Sequence, residues 1–222
     1  MNLLIVAATP AEIQPLSAYL QQHWDRESHG YKKAGKHIRL CITGAGMLST
    51  AYHLTRVIRE ERFSLAIQAG IAGSFVPELP VGAVAAVSRD TPADLGADTG
   101  SGFLHLTAMP FFEEQDIFDR CWLPCPLEQL PFSTALPRIS AVTVNTVSGS
   151  APAIAALRER YSPDIESMEG AAFHYVCLRE KIPFLQLRSI SNAVTVRDSS
   201  RWNIPLAITE LNRYLNGLLE EL

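Results

Sequence analysis

The run Ile165-Glu166-Ser167-Met168-Glu169-Gly170-Ala171-Ala172 sets a carboxylate, Glu169, among Met, Gly and Ala. A carboxylate is seldom buried without a partner. A sugar diol would supply one, because two hydroxyl donors satisfy one carboxylate. The structural alternative is a helix start, since Glu169 falls at about the second residue of a helical pattern, where the helix dipole favours a negative charge. Met168 would then pack against a bound sugar or base, or fill the core. Further on, Arg188-Ser189-Ile190-Ser191-Asn192 closes an apolar, strand-like run with polar groups. A buried Arg188 needs a counter-charge. Pairing with Glu12 or Glu169 is the structural answer, and orienting an attacking water is the functional one. Asn192 reads either as a ligand contact or as the cap of the loop that follows.

Thr9-Pro10-Ala11-Glu12 directly follows the first apolar run. It reads as a capping box, with Thr9 as cap, Pro10 in the first helical position and Glu12 returning to the Thr9 backbone N–H. The same spacing puts Glu12 at the carboxyl edge of a parallel sheet, where α/β ligand sites form and where a carboxylate can act as general base toward water. Thr43-Gly44-Ala45-Gly46-Met47 is a strand-to-helix turn without the third glycine of a dinucleotide fingerprint, and no P-loop lysine is present. Gln68-Ala69-Gly70-Ile71-Ala72-Gly73-Ser74 has small residues that allow either tight turn geometry or close approach of a ribose. None of the six histidines has a metal-ligand spacing, and no G-x-S-x-G sequence supports a serine hydrolase.

The elements that must position these groups alternate. Strand-like runs cover residues 3–8, 37–43, 65–69, 83–88, 139–145 and 184–190, and helical patterns cover 11–22, 47–60, 151–161, 168–180 and 200–222. Several of the runs are apolar throughout, as strands covered on both faces must be. The spacing of Ile204, Ile208, Leu211, Leu215 and Leu218 marks the clearest helix. The order predicts an α/β protein, three-layer α/β/α with a mixed, mostly parallel central sheet. Prolines 110, 124, 126 and 131 break the stretch 91–137. Excursions of that length are more often lids, binding loops or subunit contacts than spacers.

The 222 residues contain no linker, so one domain over 1–222 is expected. Hydrophobic content is 47%, charged content is 19% and the formal net charge is −4. This balance speaks against nucleic-acid or anionic-membrane binding. No apolar run approaches a membrane span. The first run lacks the positive flank of a secretory signal, so it reads as a buried strand and the expected location is cytoplasmic. Cys41, Cys121, Cys125 and Cys177 are expected to be free thiols, with no metal and no cofactor.

Taken in order, the segments resemble the nucleoside phosphorylase/nucleosidase superfamily over nearly the whole chain, with 91–137 matching least. In the bacterial nucleosidases that cleave methylthioadenosine and adenosylhomocysteine, the glutamate that activates water matches Glu12. Their Gly-rich segment matches residues 70–73. Their ribose-holding Met-Glu pair matches Met168-Glu169, and their Arg-x-x-Ser-Asp run matches Arg188 to Asn192, Ser191 included. Two departures matter. Asn192 replaces the aspartate that protonates purine N7, and Ile71 stands where a serine is usual. An amide is no general acid near neutral pH, but its NH₂ can donate to both N7 and O6 of a 6-oxopurine, and an amide can equally donate to N7 and accept from the exocyclic amine of adenine. The futalosine hydrolases, which release hypoxanthine from futalosine in a menaquinone pathway, resemble the chain at the same points, including that asparagine and Ala-Asp-Leu-Gly-Ala at 93–97.

The resemblance implies hydrolysis of an N-glycosidic bond of a small-molecule nucleoside. Glu12 is the base and Arg188 its helper, Glu169 holds the ribose, and Asn192 steadies the leaving base. Gly70, Ile71, Met168, Ser191 and Val147 are the expected substrate contacts. It also implies a homodimer, with part of 91–110 at the contact, and makes Arg197 and Arg201 candidates for the substrate's tail carboxylate. The rival readings are a methylthioadenosine/adenosylhomocysteine nucleosidase, a purine nucleoside phosphorylase, and a non-catalytic nucleoside-binding protein.

Overall fold

The computed structural model describes residues 1–222, the side chain of residue 115 excepted. In chain order the strands are β1 (Asn2–Ala7), β2 (Asp25–Glu27), β3 (Gly30–Lys33), β4 (Lys36–Ile42), β5 (Leu65–Ser74), β6 (Val84–Pro92), β7 (Gly96–Asp98), β8 (Phe103–His105), β9 (Leu123–Pro124), β10 (Arg138–Thr143), β11 (Ile165–Ser167) and β12 (Phe184–Ala193). The helices are α1 (Gln14–His23), α2 (Met47–Glu60), α3 (Ala151–Tyr161), α4 (Gly170–Glu180) and α5 (Ile204–Glu221). The main sheet runs β11-β10-β6-β12-β5-β1-β4-β3-β2. The fold is the expected mixed α/β one. β1 pairs in parallel with β4 and β5, β12 with β5, and β10 with β6 and β11. The antiparallel pairs are β12 with β6, β11 with β5, β9 with β6, the β2–β3–β4 ribbon and, apart from the main sheet, β7 with β8.

β5 and β12 are longer than their apolar runs predict. β5 continues through Gly70–Ser74, which reads as a loop in the sequence but pairs with β12 on one side and β11 on the other. Because β11 joins both β10 and β5, strands β5, β12, β6, β10 and β11 close on themselves. A bulge between Ile190 and Asn192 accompanies this curvature, as bulges do where a sheet bends. Asn192 is therefore a strand residue, and the loop-cap reading of it is set aside.

α2 packs with α4 and α1 with α5, and β1 and β12, each buried at all but one residue, lie among the apolar residues these helices cover. The first helix begins differently from its pattern: Pro10–Ile13 is a 3₁₀ turn, and the α-helix starts only at Gln14. The α5 stripe is also divided. Leu211, Leu215 and Leu218 enter the core, while Ile204 and Ile208 turn to the wall of a cavity. The stretch 91–137 is irregular as expected, holding the β7–β8 hairpin, β9 and short 3₁₀ turns.

A buried polar layer lies under the start of α4. Asp90 accepts hydrogen bonds from Thr143 Oγ1 at 2.8 Å and Gln186 Nε2 at 3.2 Å, and Thr143 Oγ1 in turn accepts from the Ala171 N–H at 2.8 Å. Residue 170 must be glycine here, because a Cβ would lie 2.1 Å from Asp90 Oδ2. His174 donates through Nδ1 to the Leu123 carbonyl at 2.9 Å. Burial pushes His174 down to about 4 and Asp90 up to about 6.

The two shifts act on stability with opposite sign. Between about 6.5 and 4 the unfolded chain binds the proton that folded His174 refuses, so His174 makes the protein lose stability as pH falls. Between about 6 and 3.8 folded Asp90 holds a proton that the unfolded chain has released, so Asp90 makes stability rise as pH falls. Asp90→Asn removes only the second contribution. Its melting temperature should therefore fall more steeply than wild type between pH 6 and 4, and parallel calorimetric curves would refute this account.

Candidate functional site

A cavity of about 340 Å³ opens at the ends of β1, β5, β11 and β12, within the size range of small-molecule sites. Its wall includes Glu12, Ile71, Gly73, Val147, Met168, Glu169, Ser191 and Asn192. Residues nearly 200 positions apart meet here because parallel strands deliver their carboxyl ends to one edge.

Glu12 both completes the capping contacts and lines the cavity. Its Oε2 accepts from the Thr9 N–H at 2.8 Å and the Thr9 hydroxyl at 3.2 Å, as in a capping box. Its Oε1 accepts from the Ile71 N–H at 3.2 Å and faces the cavity. The Ile71 contribution is thus a backbone donor, available whatever side chain stands there. Asn212 on α5 is buried beneath and grips the turn: its Nδ2 donates to the Glu12 carbonyl at 2.8 Å, and its Oδ1 accepts from the Leu16 N–H at 3.0 Å. The helical pattern of α5 gives no hint of Asn212, which sits inside the apolar stripe.

Glu169 is the residue before α4, two positions earlier relative to the helix start than the sequence pattern suggests, because the chain leaves β11 and turns at Met168-Glu169 before helical geometry begins. Its side chain makes no cap bond to its own helix. It crosses instead to the Gly46 N–H at 3.1 Å and to Arg188 Nη1 at 3.5 Å. That direction leaves the carboxylate on the cavity wall, at 6% exposure.

Arg188 is 1% exposed and stands behind the wall rather than on it. Nη2 donates to Gln68 Oε1 at 3.0 Å, and Nη1 donates to the Ile71 carbonyl at 3.4 Å. Its counter-charge is Glu169, not Glu12. Gly70 is likewise behind the wall, which corrects the expectation that it touches a substrate. A Cβ on residue 70 would lie 2.2 Å from Arg188 Nη1 and 3.1 Å from Glu12 Oε1, so its missing side chain makes room for the guanidinium.

Asn192 is held by its neighbour. The Ser191 hydroxyl donates to Asn192 Oδ1 at 2.7 Å, and Asn192 Nδ2 donates to the Ala193 carbonyl at 3.0 Å. With Oδ1 engaged, the amide offers a ligand its remaining N–H. Sequence reasoning did not assign a role to Glu166, which is buried on the same wall and accepts from both the N–H and the hydroxyl of Ser148. Burial pushes the Glu166 carboxyl up, against the pull of those Ser148 bonds. The signal for it was a second acid in the same run as Glu169. Of the two tail candidates, Arg197 lines the cavity with its guanidinium 5.7 Å from the Trp202 ring centre. Arg201 instead pairs with Asp198 at 3.2 Å on the exposed side.

This arrangement of a purine-sized cavity, paired carboxylates and a Gly-rich strand fits a nucleoside-cleaving fold, and the sequence profile of the phosphorylase superfamily matches residues 2–220. The chain belongs to the phosphorylase superfamily. Among its curated relatives is the futalosine hydrolase of Streptomyces coelicolor, 37% identical over 151 residues, or 67% of this chain and 62% of that protein. Among solved structures, a Helicobacter pylori MTAN variant with 5′-methylthioadenosine in its active site superposes with a TM-score of 0.81 at 18% identity, over 100% of this chain and 99% of the other. The native futalosine hydrolase of Helicobacter pylori gives 0.79 at 18% identity, over 100% and 98%. At such identities the superpositions establish the fold, and they do not separate the two activities.

Proposed function

We propose that this protein hydrolyses the N-glycosidic bond of futalosine, releasing hypoxanthine and dehypoxanthine futalosine in menaquinone biosynthesis. The observation that carries the reading is the Asn192 amide. Ser191 holds its oxygen and the Ala193 carbonyl takes one N–H, so the amide has one N–H left to donate into the cavity, to N7 or O6 of a 6-oxopurine. The relatedness to futalosine hydrolases supports the same substrate.

In this mechanism Glu12 takes a proton from a water placed at the anomeric carbon. The Thr9 and Ile71 donors hold that carboxylate in one orientation, and the buried Asn212 anchors the Glu12 backbone carbonyl. Glu169 accepts the ribose hydroxyls and lies near the positive charge that develops on the sugar, so it stabilises the transition state more than the ground state. Arg188 fixes Glu169 from behind. Met168 and Val147 cover the apolar faces of the ligand. The proton taken by Glu12 is balanced by the one the departing purine acquires, which restores the carboxylate. The carboxylates on the wall beside Glu12 favour neutral water over phosphate as the nucleophile.

The same reading includes a cytoplasmic location and a homodimer. Exposed Leu48 and Tyr52 on α2, and Leu95, Leu104 and Phe111 in the irregular stretch, are among the apolar side chains available to a second copy. The test is incubation of the purified protein with futalosine and, separately, methylthioadenosine, with and without phosphate, following the free base by chromatography. Phosphate-independent release of hypoxanthine from futalosine is expected. Adenine release from methylthioadenosine alone, or a requirement for phosphate, would overturn the assignment.

A further inference from the structure

Glu169 is the residue before α4, yet its carboxylate lines the cavity and makes no bond to its own helix. A side-chain oxygen at that position ordinarily takes the N–H of the second or third helical residue. The helix dipole draws a carboxylate the same way. The second helical residue is Ala171, and its N–H is already taken: it donates to Thr143 Oγ1 at 2.8 Å. That bond joins segments 28 positions apart, so nothing local to α4 supplies it.

Thr143 is buried at the end of β10, where it pairs with Ser167 of β11 and with Pro92 of β6. The direction of its hydroxyl is decided by Asp90, whose Oδ1 lies 2.8 Å away. Burial raises the Asp90 carboxyl to about 6, against the pull of Thr143, Arg188 and Gln186. At neutral pH it is therefore ionised and only accepts. Thr143 must donate to it, which turns a lone pair of Oγ1 toward the Ala171 N–H. Asp90 Oδ2 lies against Gly170, the first residue of α4, and accepts there from Gln186. A buried anion thus meets the positive end of the helix from inside the protein, in place of a capping carboxylate at Glu169.

We propose that Thr143, oriented by Asp90, is a positioning residue for Glu169: it occupies the helix donor that Glu169 would otherwise cap, and so leaves that carboxylate to the ribose hydroxyls. This rests on the reading of the cavity as a nucleoside site. Without the Thr143 hydroxyl, the Ala171 N–H is a buried donor with no partner, a cost that a turn of the Glu169 side chain relieves. Gly46 opposes that turn through a bond of 3.1 Å and Arg188 through one of 3.5 Å, both long for hydrogen bonds to a charged group. Glu169 is therefore kept in the cavity as much by the lack of a free helix donor as by its own partners.

The test combines crystal structures of wild type, Thr143→Val and Thr143→Ser with calorimetric binding of inosine and 2′,3′-dideoxyinosine, beside futalosine turnover. In Thr143→Val the Glu169 carboxylate should leave the Gly46 N–H for the Ala171 N–H. Inosine should then bind about 10–100-fold more weakly, as expected for loss of a hydrogen bond to a charged group. Dideoxyinosine, which has no diol to lose, should bind as before. Thr143→Ser keeps the hydroxyl and should restore both the Glu169 position and the inosine affinity. Glu169 staying on Gly46 and Arg188 in Thr143→Val would overturn the proposal, as would equal losses for the two nucleosides. So would a serine variant that loses as much as the valine one, because the methyl packing would then be what matters. A wild-type crystal structure with Glu169 itself on the Ala171 N–H would overturn it without any variant having to fold. Movement of Glu169 in Thr143→Val, with no futalosine turnover by wild type, would sink the hydrolase reading alone. Turnover by wild type, with Glu169 unmoved in Thr143→Val, would sink this assignment alone.

Discussion

Glu12→Gln is expected to lower kcat by about 10²–10⁴-fold with little change in KM, the usual cost of losing a positioned general base. The substitution keeps size and cavity shape, and one amide oxygen still accepts a hydrogen bond. It removes the second acceptor, so an amide NH₂ comes to face either the Thr9 or the Ile71 N–H. That mismatch adds a stability loss on the order of 1–3 kcal/mol, which a melting curve measures separately from the rate. Steady-state kinetics at a temperature where the variant is fully folded decides the case. A variant retaining more than about a tenth of wild-type kcat would remove Glu12 from the role of base.

Arg188→Met should be the most damaging single change to the site's architecture. The guanidinium is fully enclosed, and its loss leaves the Glu169 carboxylate without its cation and Gln68 Oε1 without its 3.0 Å donor. Removing one partner of a buried ion pair costs about 3–5 kcal/mol. For a chain of this length, that lowers the melting temperature on the order of 10 °C. Activity should fall as well, because Glu169 is then free to turn from the ribose position. The double variant Arg188→Met/Glu169→Gln separates the two effects. It removes the uncompensated charge and should recover part of the stability, yet it should stay inactive. If the double variant melts no higher than Arg188→Met, the pair is not what Arg188 holds together. Arg188→Lys should rescue poorly, since an ammonium cannot reproduce the guanidinium's fork to Gln68, Ile71 and Glu169.

Gly70 shows why some assignments could be made from the sequence and others could not. The glycine was visible, and so was its place in a Gly-rich segment that the resemblance assigns to the site. What could not be read was direction. The Gly70 gap opens toward Arg188 rather than into the cavity, a consequence of the parallel register that sets Arg188 opposite Gly70. The same holds for Ile204 and Ile208. Their spacing continues an apolar stripe, but α5 begins beside the carboxyl end of β12, where the cavity wall takes them instead.

The local chemistry of the chain is written in its sequence. The period of its apolar residues sets the α/β order, because strands buried on both faces must be apolar throughout. The capping box at Thr9 and Glu12 follows from a spacing of three residues. Which partner each carboxylate meets was decided only by the tertiary structure. Glu169 could have capped its own helix, Arg188 could have paired with Glu12, and Asn192 could have ended a loop. Glu166 gave no local sign of pairing opposite Gly73 on the cavity wall. These outcomes depend on strand register and sheet closure between segments up to about 120 residues apart. Such contacts have no local sequence signature, because register is set jointly by every pair along the strands and not by the residues that end up touching.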